Sequence, residues 1–413
     1  MTLDDFLNGS WTVRDLRAGP FRDCIDLYAS RLRKDGYSTV TARYSVRIVN
    51  CFIQWMIRHR FDRGDISGQL VDRFFRDEDR GCGLSGGDPA AIGRFLEVVR
   101  EAGIVAPAAP RLLGPPDHIL ERYRAYLDHR LGLNARSCAA YTKFTRPFLR
   151  DMTITDPDDF ARLTTADVLG YVERRARDAS AATAVAMCSR LRSFLRYLHV
   201  EGLIEHDLAA CVPSVKKWRF TALPTYLSAA QLEQVLQHCD RSTASGRRDY
   251  AVLLLLSRLG LRAQEVATLT LDDIDWRAGQ FRIRGKGRQP AIMPLPPDVG
   301  AAIAAYLQSG RPASGHRQLF LKAYPPHSGF PPATGIRDIA ARALRRAGIG
   351  DIAHRGSHIF RHSLATELLG SGAALTQISQ ILRHRDHNTT RIYAKVDLAS
   401  LRTLSLPWPG AVQ

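Results

Sequence analysis

Apolar residues recur at steps of three and four positions along most of this chain, and this spacing constrains its fold more than any other feature. Such spacing places apolar side chains on one face of a helix, because a helix turns once every 3.6 residues. The segment from Ser180 to Val200 shows the pattern clearly and ends before Gly202, where a helix is expected to stop. Its apolar positions are Met187, Leu191, Phe194, Leu195 and Leu198. The pattern predicts a mainly α-helical fold.

One segment, residues 273–295, alternates with a period of two instead. Phe281 and Ile283 are each followed by an arginine, and a glycine-containing stretch separates them from a second apolar run that starts at Ala291. A period of two around a glycine turn is typical of a β-hairpin. We therefore expect a small antiparallel sheet, with Lys286 at or near the tip of its hairpin.

With 413 residues, the chain is too long for a single hydrophobic core, so two or three domains are expected. The helical pattern breaks at residues 81–90, 107–117 and 212–226, which we interpret as connections. After the last of these, Ser228 and Gln231 match the capping box that begins a helix. The predicted division is a helical module over residues 1–112, a second helical domain over 113–215 and a mixed domain over 222–407.

The formal net charge of +17 and the sequence pI of about 9.9 predict a polyanionic partner. DNA, RNA and an anionic membrane would all fit this charge. The longest apolar run, Ala251 to Leu256, is far shorter than the roughly 20 residues that cross a bilayer, so no membrane role is expected. The amino terminus opens acidic and lacks the order of a secretory signal, which indicates a cytoplasmic protein.

The seven cysteines are scattered without a paired CxxC motif, so neither structural zinc nor a disulfide framework is predicted. His354, His358 and His362 lie at four-residue steps, a spacing that a metal site on a helix could use. Gly356 argues against a continuous helix through all three, and no HExxH motif or acidic ligand accompanies them. We expect neither a metal nor another cofactor.

Four segments of the second half hold polar residues that a helical core does not need. Arg262 lies three residues before Glu265 in LGLRAQE, and Lys286 lies in RGKGRQ. The third segment, HIFRH, and the fourth, ILRHRDHNTTRIY, supply the remaining candidates, which are His358, Arg361, His384 and Tyr393.

In these motifs, from about Ser228 to Val396, the chain resembles the tyrosine site-specific recombinases of the phage integrase family. The resemblance implies a multi-domain, C-shaped DNA clamp that is mainly α-helical with a small antiparallel sheet. It implies that residues 113–215 form a SAM-like core-binding domain and residues 222–407 the catalytic domain. It also implies a DNA strand transesterification through a 3′-phosphotyrosyl intermediate, without metal or ATP. The catalytic residues that it assigns are Arg262, Lys286, His358, Arg361, His384 and Tyr393.

The chemistry of phosphoryl transfer fits these residue types. Fixed cations stabilise the negative charge of a phosphorane-like transition state, and two arginines can hold the non-bridging oxygens with paired donors. A free phenol has a pKa of roughly 10, so Tyr393 needs cations or a base to become a nucleophile. By resemblance His358 exchanges that proton, Lys286 protonates the leaving 5′ oxygen and His384 contacts the phosphate. Glu265 is expected to orient Arg262.

The sequence departs from the family pattern at two places. Arg383 stands where many members have glycine before the later histidine, which adds a cation and removes no catalytic group. Pro290 and Ala291 stand where a basic residue usually precedes the last strand. The second departure weakens an expected phosphate contact.

The family resemblance also sets the expected partners. These are double-stranded DNA with inverted half-sites and, on that DNA, a homotetramer or an assembly with related recombinases, in the integration, excision or transposition of a mobile element. The overall charge favours an interpretation in which the basic face of Arg190, Arg192 and Arg196 faces DNA, with a solvated surface as the alternative. The candidate DNA-binding residues are Lys143, Arg190, Lys216 and Lys217. A nucleoid-associated enzyme is expected, while a catalytically silent accessory protein and a type IB topoisomerase-like enzyme stay open as alternatives.

A faint repeat links the first module with the second domain. Aligning Gly36 with Gly132, an offset of 96 residues, also aligns Phe52 with Phe148. In both copies a glycine ends one helix, and Ser38 or Asn134 can cap the next. The pattern indicates a duplicated DNA-clamping module, with chance similarity between helical sequences as the alternative.

Overall fold

In the computed structural model, the described residues are 21–105 except 80, 82 and 84–87, then 115–215, then 225–384 except 285–289, 332–333 and 351–355, and finally 390, 392 and 393. Helices dominate these residues, and a single three-stranded antiparallel sheet accompanies them. The predicted fold class is therefore confirmed. Lys286, Lys216 and Lys217 lie outside the described residues.

The described residues between 21 and 105 contain four helices around a core of their own. They are α1 (Arg22–Lys34), α2 (Thr39–Arg58), α3 (Gly68–Arg76) and α4 (Asp88–Glu101), with a short 3-10 helix (Arg63–Asp65) between α2 and α3. As predicted, Gly36 has a positive φ of 83° after α1, and the Ser38 hydroxyl caps α2 by accepting from the Thr41 amide. The helix α4 begins inside the stretch 81–90 that the sequence assigned to a connection.

Residues 115–215 repeat this order of elements. They form α5 (Pro115–His129), α6 (Ala135–Asp151), a 3-10 helix (Pro157–Arg162), α7 (Thr165–Arg177) and α8 (Ala181–Val200). Asn134 caps α6 by accepting from the Ser137 amide, and Ser180 caps α8. All five apolar positions predicted for α8 are buried, which confirms that helix.

The remaining described residues form the mixed part of the fold. Its helices are α9 (Ala229–Gln237), α10 (Ala244–Arg258), α11 (Ala263–Thr268), α12 (Pro297–Ser309), α13 (Thr334–Arg346), α14 (His358–Gly370) and α15 (Leu375–Ile381). The apolar run 251–256 is fully buried in α10, which packs against α12 and α14. Ser228 and Gln231 make the predicted capping box of α9.

The sheet follows the period-two segment of the sequence. Its strands are β1 (Ile274–Asp275), β2 (Gln280–Arg284) and β3 (Pro290–Pro294), in the order β1-β2-β3. In the antiparallel register Phe281 pairs with Met293 and Ile283 with Ala291. Phe281 and Ile283 are buried, whereas the arginines that alternate with them are exposed. This confirms the predicted sheet.

By its internal contacts the chain divides into two compact units: one consists of residues 107–221, the other of residues 1–106 together with 222–413. The second of these contains separate hydrophobic cores for residues 21–105 and 227–360, and a small cluster around Tyr393. The division into domains at residues 1–112, 113–215 and 222–407 stays a prediction. Within the described part of the chain, no helix is both long and apolar enough to cross a membrane.

Candidate active site

The turn between α10 and α11 sets the position of Arg262. Gly260 has a φ of 57°, a left-handed conformation that favours glycine, and a Cβ there would lie 2.8 Å from Leu382. Arg262 follows as the residue that precedes α11, so it flanks the helix and does not share a helical face with Glu265. Its side chain is 32% exposed, and Nη1 donates to Oε1 of the buried Glu265 at 2.8 Å. The expectation that Glu265 orients Arg262 is confirmed.

Arg361 is buried one turn into α14, and its guanidinium donates to two main-chain carbonyls, those of Gly260 and Leu382. Burial and the positive charges of Arg262 and Arg383 lower the pKa of Arg361 to about 10. The guanidinium remains protonated at neutral pH. It is therefore a desolvated cation that donates to two neutral carbonyls, and such a charge favours a nearby anion.

Arg383 ends the hairpin of α14 and α15 in a left-handed conformation with a φ of 53°. Its Nη2 donates to Oε2 of Glu265 at 2.8 Å, so Glu265 holds Arg262 with one oxygen and Arg383 with the other. Burial lowers the pKa of Arg383, and Glu265 opposes that shift. The departure from glycine at this position thus adds a cation that shares the Glu265 carboxylate with Arg262.

The two predicted histidines lie near these arginines. His358 is the first residue of α14 and is exposed at its surface, and partial desolvation followed by the charges of Arg361 and Arg262 lowers its pKa. Nδ1 of His384 lies 2.7 Å from the hydroxyl of Thr390. Burial, then the charges of Arg361 and Arg262, lower the pKa of His384 to about 4. Both rings are therefore favoured as neutral hydrogen-bonding groups at pH 7.

Tyr393 is 1% exposed and lies in an apolar cluster with Ala365, Ile378 and Leu382. Burial raises the pKa of its phenol to about 12, and the charge of Arg361 offsets part of that shift. The hydroxyl lies 2.9 Å from Nδ1 of His362, which is four residues after His358 on α14. The sequence analysis considered His362 only as a member of a possible metal site with His354 and His358, and did not assign it to the catalytic set. The four-residue step from His358 was the signal that placed both histidines on one helical face.

The charges of this cluster do not balance. Among the described residues, three guanidinium groups, those of Arg262, Arg361 and Arg383, act on one another and on the single carboxylate of Glu265. The cluster therefore has an excess of positive charge in a partly desolvated place. A phosphate diester is the kind of anion that such fixed, paired donors bind.

The candidate DNA-binding residues that can be described lie on α6 and α8. Lys143 is exposed on α6. Arg190 is half-buried, with its guanidinium 4.6 Å from the ring centroid of Phe144 and 5.7 Å from that of Tyr141. Arg192 instead donates to the carbonyl of Pro213 at 2.9 Å, so this member of the predicted basic face already has a partner within the protein.

Comparison with known proteins places this cluster in a family. Residues 225–399 match the profile of the phage integrase family, and residues 120–202 match that of the phage integrase N-terminal SAM-like domain. A putative integrase/recombinase of Sinorhizobium fredii, y4rA, is 38% identical over 411 residues, which covers 99% of both chains. The chain belongs to the phage integrase family of tyrosine recombinases. The recombinase thus has a relative of nearly equal length.

Two further relatives are shorter than the recombinase. The tyrosine recombinase XerD of Listeria monocytogenes is 30% identical over 292 residues, which cover 69% of the recombinase and 96% of XerD. The XerH site-specific recombinase, in a post-cleavage complex with its palindromic difH substrate, has the same fold with a TM-score of 0.57. It is 17% identical, and the match covers 71% of the recombinase and 97% of XerH. The y4rA and XerD relatives favour site-specific recombination over the accessory-protein and topoisomerase alternatives.

Proposed function

We propose that the recombinase cleaves DNA by attack of the Tyr393 hydroxyl on a phosphodiester that Arg262 and Arg361 bind. The observation that supports this proposal most directly is the convergence of these residues at Leu382, whose carbonyl accepts from Arg361 and which packs in the apolar cluster of Tyr393, while Arg262 donates to the carbonyl of the next residue, Arg383. Two guanidinium groups can neutralise both non-bridging oxygens as negative charge develops on them. Of the other predicted residues, His358 and His384 supply neutral hydrogen-bonding groups next to the same cations.

The reaction balances with the groups at hand. The phenol oxygen forms a bond to phosphorus, the bond from phosphorus to the 5′ oxygen breaks, and the product is a 3′-phosphotyrosyl ester with a free 5′ hydroxyl. The proton of the phenol passes to Nδ1 of His362, the nitrogen that lies 2.9 Å from it. The resemblance makes His358 the candidate for taking this proton, whereas the 2.9 Å distance favours His362. Lys286 protonates the leaving oxygen. Because the ester preserves the phosphoryl bond energy, religation needs no nucleotide.

In the described conformation the phenol is buried, and its raised pKa is unfavourable for a nucleophile. For the reaction its hydroxyl has to meet the scissile phosphorus, so we infer that the ring of Tyr393 moves out of its apolar cluster when DNA occupies the cations, while its hydroxyl stays within reach of Nδ1 of His362. A phosphate near Arg361 would also supply the anion that this desolvated guanidinium lacks. This coupling would keep the nucleophile inactive in the absence of DNA.

We further propose that the recombinase binds double-stranded DNA with inverted half-sites, through Lys143, Arg190, Lys216 and Lys217 together with the catalytic cations. XerH is described in complex with a palindromic substrate, which supports this arrangement by analogy. On DNA it would act as a homotetramer or with related recombinases, in association with the nucleoid. Integration, excision or transposition of a mobile element is the corresponding process.

A nicked suicide substrate tests the nucleophile. The site is first located by footprinting the DNA beside the gene of the recombinase, and an oligonucleotide duplex nicked next to the cleavage position is then incubated with protein in EDTA. A covalent protein–DNA adduct on a denaturing gel is expected for the wild type and for Tyr324→Phe, an exposed tyrosine that serves as the matched control. No adduct is expected for Tyr393→Phe, and an adduct with that variant would show that another residue is the nucleophile.

Other DNA substrates distinguish recombination from the alternatives. An intact pair of sites should give exchanged strands, whereas a topoisomerase-like enzyme would relax supercoiled plasmid that lacks the site. Protection of the site without any adduct would instead favour a silent accessory protein. Loss of the adduct in EDTA would contradict the metal-independent reaction.

A further inference from the structure

The segment 21–105, which neither family profile covers, has the same order of elements as residues 115–215. Each consists of a helix, a glycine with positive φ, a capped second helix, a 3-10 helix, a third helix and a long fourth helix. The second helix of each ends in the same way, since Arg60 and Thr153 both have a positive φ. The segment also ends on a glycine with positive φ, Gly103, as α8 ends on Gly202.

The offset between the two copies is not constant. It is 96 residues at the caps Ser38 and Asn134, 93 at Arg60 and Thr153, because α6 is three residues shorter than α2, and 99 at the closing glycines. Such changes of three residues correspond to about one helical turn and leave the buried face in place. The variation explains why the repeat is faint in the sequence. Positions within α2 and α6 are therefore best compared by their distance from the caps.

Counted in this way, a cation stands at the same place on α2 and α6. Arg47 lies nine residues after Ser38, and Lys143 lies nine residues after Asn134. Both side chains are exposed, and among the described residues neither has a carboxylate at ion-pair distance. Arg47 is further held with its guanidinium 5.4 Å from the ring centroid of Tyr44.

A second cation reaches the same part of each helix from the fourth helix of its copy. Arg94 of α4 places its guanidinium 5.1 Å from the ring centroid of Tyr37, with Nη2 3.5 Å from the hydroxyl of Ser45, seven residues after the cap Ser38. Arg190 of α8 stacks on Tyr141, which is likewise seven residues after its cap.

In both arginines Nε is buried without a hydrogen-bond partner in the described protein. A half-buried guanidinium that rests on an aromatic ring without a carboxylate is an incompletely satisfied cation. Each copy thus carries one exposed cation on its second helix and one half-buried arginine on its fourth helix.

The net charge of the two copies does not explain the similar positions of their cations. Residues 21–105 contain 14 lysines and arginines and 12 aspartates and glutamates, and residues 115–215 contain 14 and 13. A cationic surface in either copy therefore depends on where the unpaired cations stand. The matching placement of Arg47 and Lys143, and the approach of Arg94 and Arg190 to the same part of the second helix, are that local signal.

We propose that residues 21–105 are a second copy of the core-binding fold and that the surface around Arg47 and Arg94 binds the phosphate backbone of duplex DNA outside the core site. The proposal rests on the proposed role of Lys143 and Arg190 in the first copy. The y4rA relative aligns over 99% of the chain, whereas 69% of the chain matches 96% of XerD. A relative of nearly equal length therefore shares the segment 21–105.

Salt-dependent binding by the full-length protein tests the proposal. Each phosphate contact contributes about 0.9 to the slope of log K against log salt concentration. Two duplexes are compared, one limited to the core site that footprinting defines and one with long flanks. Arg47→Gln should lower the slope by about 0.9 on the long duplex only, whereas Lys143→Gln should lower it on both.

Arg31→Gln is the matched control, because it removes the same charge from the same segment. Arg31 already pairs with Asp35 at 3.1 Å and with Glu101 at 2.7 Å, so its loss should change neither slope.

The possible outcomes separate the two proposals. An unchanged slope for Arg47→Gln on the long duplex, with a reduced slope for Lys143→Gln, would overturn the second DNA surface and leave the first in place. Unchanged slopes for Lys143→Gln on both duplexes would overturn the proposed core-binding surface on which the inference rests. Equal effects of Arg47→Gln and Arg31→Gln would show that net charge, and no particular surface, governs binding. Weakened association of protomers without DNA, with normal slopes, would instead assign the surface around Arg47 to contacts between copies of the chain.

Discussion

Nδ1 of His362 lies 2.9 Å from the hydroxyl of Tyr393, a residue 31 positions away, and the two rings are tilted against each other with centroids 5.6 Å apart. The contact gives the buried phenol its polar partner. A buried hydroxyl without a partner is costly, so this histidine stabilises the withdrawn position of Tyr393. The same nitrogen is the base that we propose for the phenol proton, so one contact serves both structure and chemistry.

Replacing His362 should separate these two effects. His362→Leu leaves the phenol without an acceptor and should lower the free energy of unfolding by about 1–3 kcal/mol. His362→Asn keeps an oxygen near the position of Nδ1 and should lose less stability. Both variants lack a basic ring nitrogen, so both should form the covalent adduct about 100-fold more slowly or worse. Urea unfolding and single-turnover adduct formation measure the two quantities.

A double-mutant cycle with Tyr393→Phe provides the control for stability, because His362→Leu should cost less when the hydroxyl is already absent. Wild-type adduct formation by His362→Asn would contradict the role of His362 as a base. The contact would then be only an anchor for the resting tyrosine.

Arg361 should affect cleavage far more than binding. Arg361→Lys retains a positive charge but cannot reproduce the planar guanidinium that donates to Gly260 and Leu382 and faces the phosphate. Adduct formation should fall by about 100- to 1000-fold, which corresponds to the loss of one oxyanion donor, while the Kd for the site stays close to that of the wild type. Gel shifts and single-turnover cleavage measure the two effects, after thermal unfolding has shown that the variant is folded.

Arg258→Lys is the matched control for this substitution. Arg258 pairs with Asp298 at 3.4 Å with about half of each side chain exposed, and such pairs contribute little. If Arg361→Lys weakened binding and cleavage equally, Arg361 would be a positioning contact for DNA and not a contributor to the transition state.

The sequence predicted elements whose determinants are local. The apolar spacing of α8, the alternation around Phe281 and the caps at Ser38 and Asn134 all depend on residues within one or two turns, and each was confirmed. The sequence could not predict how Glu265 divides its two oxygens between Arg262 and Arg383, because that contact joins residues 118 positions apart. The contact of His362 with Tyr393 has the same origin, since only tertiary packing brings α14 to the tyrosine.

The resemblance to the family carried most of the prediction of the site. Arg262, Arg361, His358, His384 and Tyr393 lie in or around one cluster, although their individual roles remain proposals. Burial of Tyr393 could not be foreseen from the motif NTTRIY, because the motif shows the residue type and not its state. The start of α4 differs from the prediction by a few residues, because sequence patterns locate helix ends less accurately than helix interiors.

Acid should destabilise the recombinase partly through His384. Its pKa in the folded protein is lowered to about 4, whereas an unfolded histidine has a pKa of about 6.5. The unfolded chain therefore binds more protons between these values, so the stabilisation is complete above pH 6.5 and is lost progressively as the pH falls toward 4. His384→Asn, which can still bond to Thr390, should lose less stability than the wild type between pH 7 and 5. Urea unfolding at both pH values measures this, and parallel losses would show that His384 does not contribute.

The backbone at Arg383 allows a sharper test, because its left-handed φ of 53° can be separated from its side chain. The residue follows the last turn of α15, where its amide bonds to the carbonyl of Gln380 and where glycine is the usual choice. Arg383→Ala and Arg383→Gly both remove the ion pair with Glu265, but only glycine removes the cost of the left-handed conformation. The glycine variant should therefore be more stable than the alanine variant by about 1 kcal/mol, after allowance for the greater freedom of glycine in the unfolded chain.

At Arg337, an exposed position of α13, the same pair of substitutions should have the opposite order, because alanine is favoured in a helix by about 1 kcal/mol. Chemical denaturation of the four variants checks both signs. Arg383→Gly should also still cleave, since Arg262 keeps its 2.8 Å contact with Glu265, and a silent glycine variant would show that Arg383 itself acts on the phosphate.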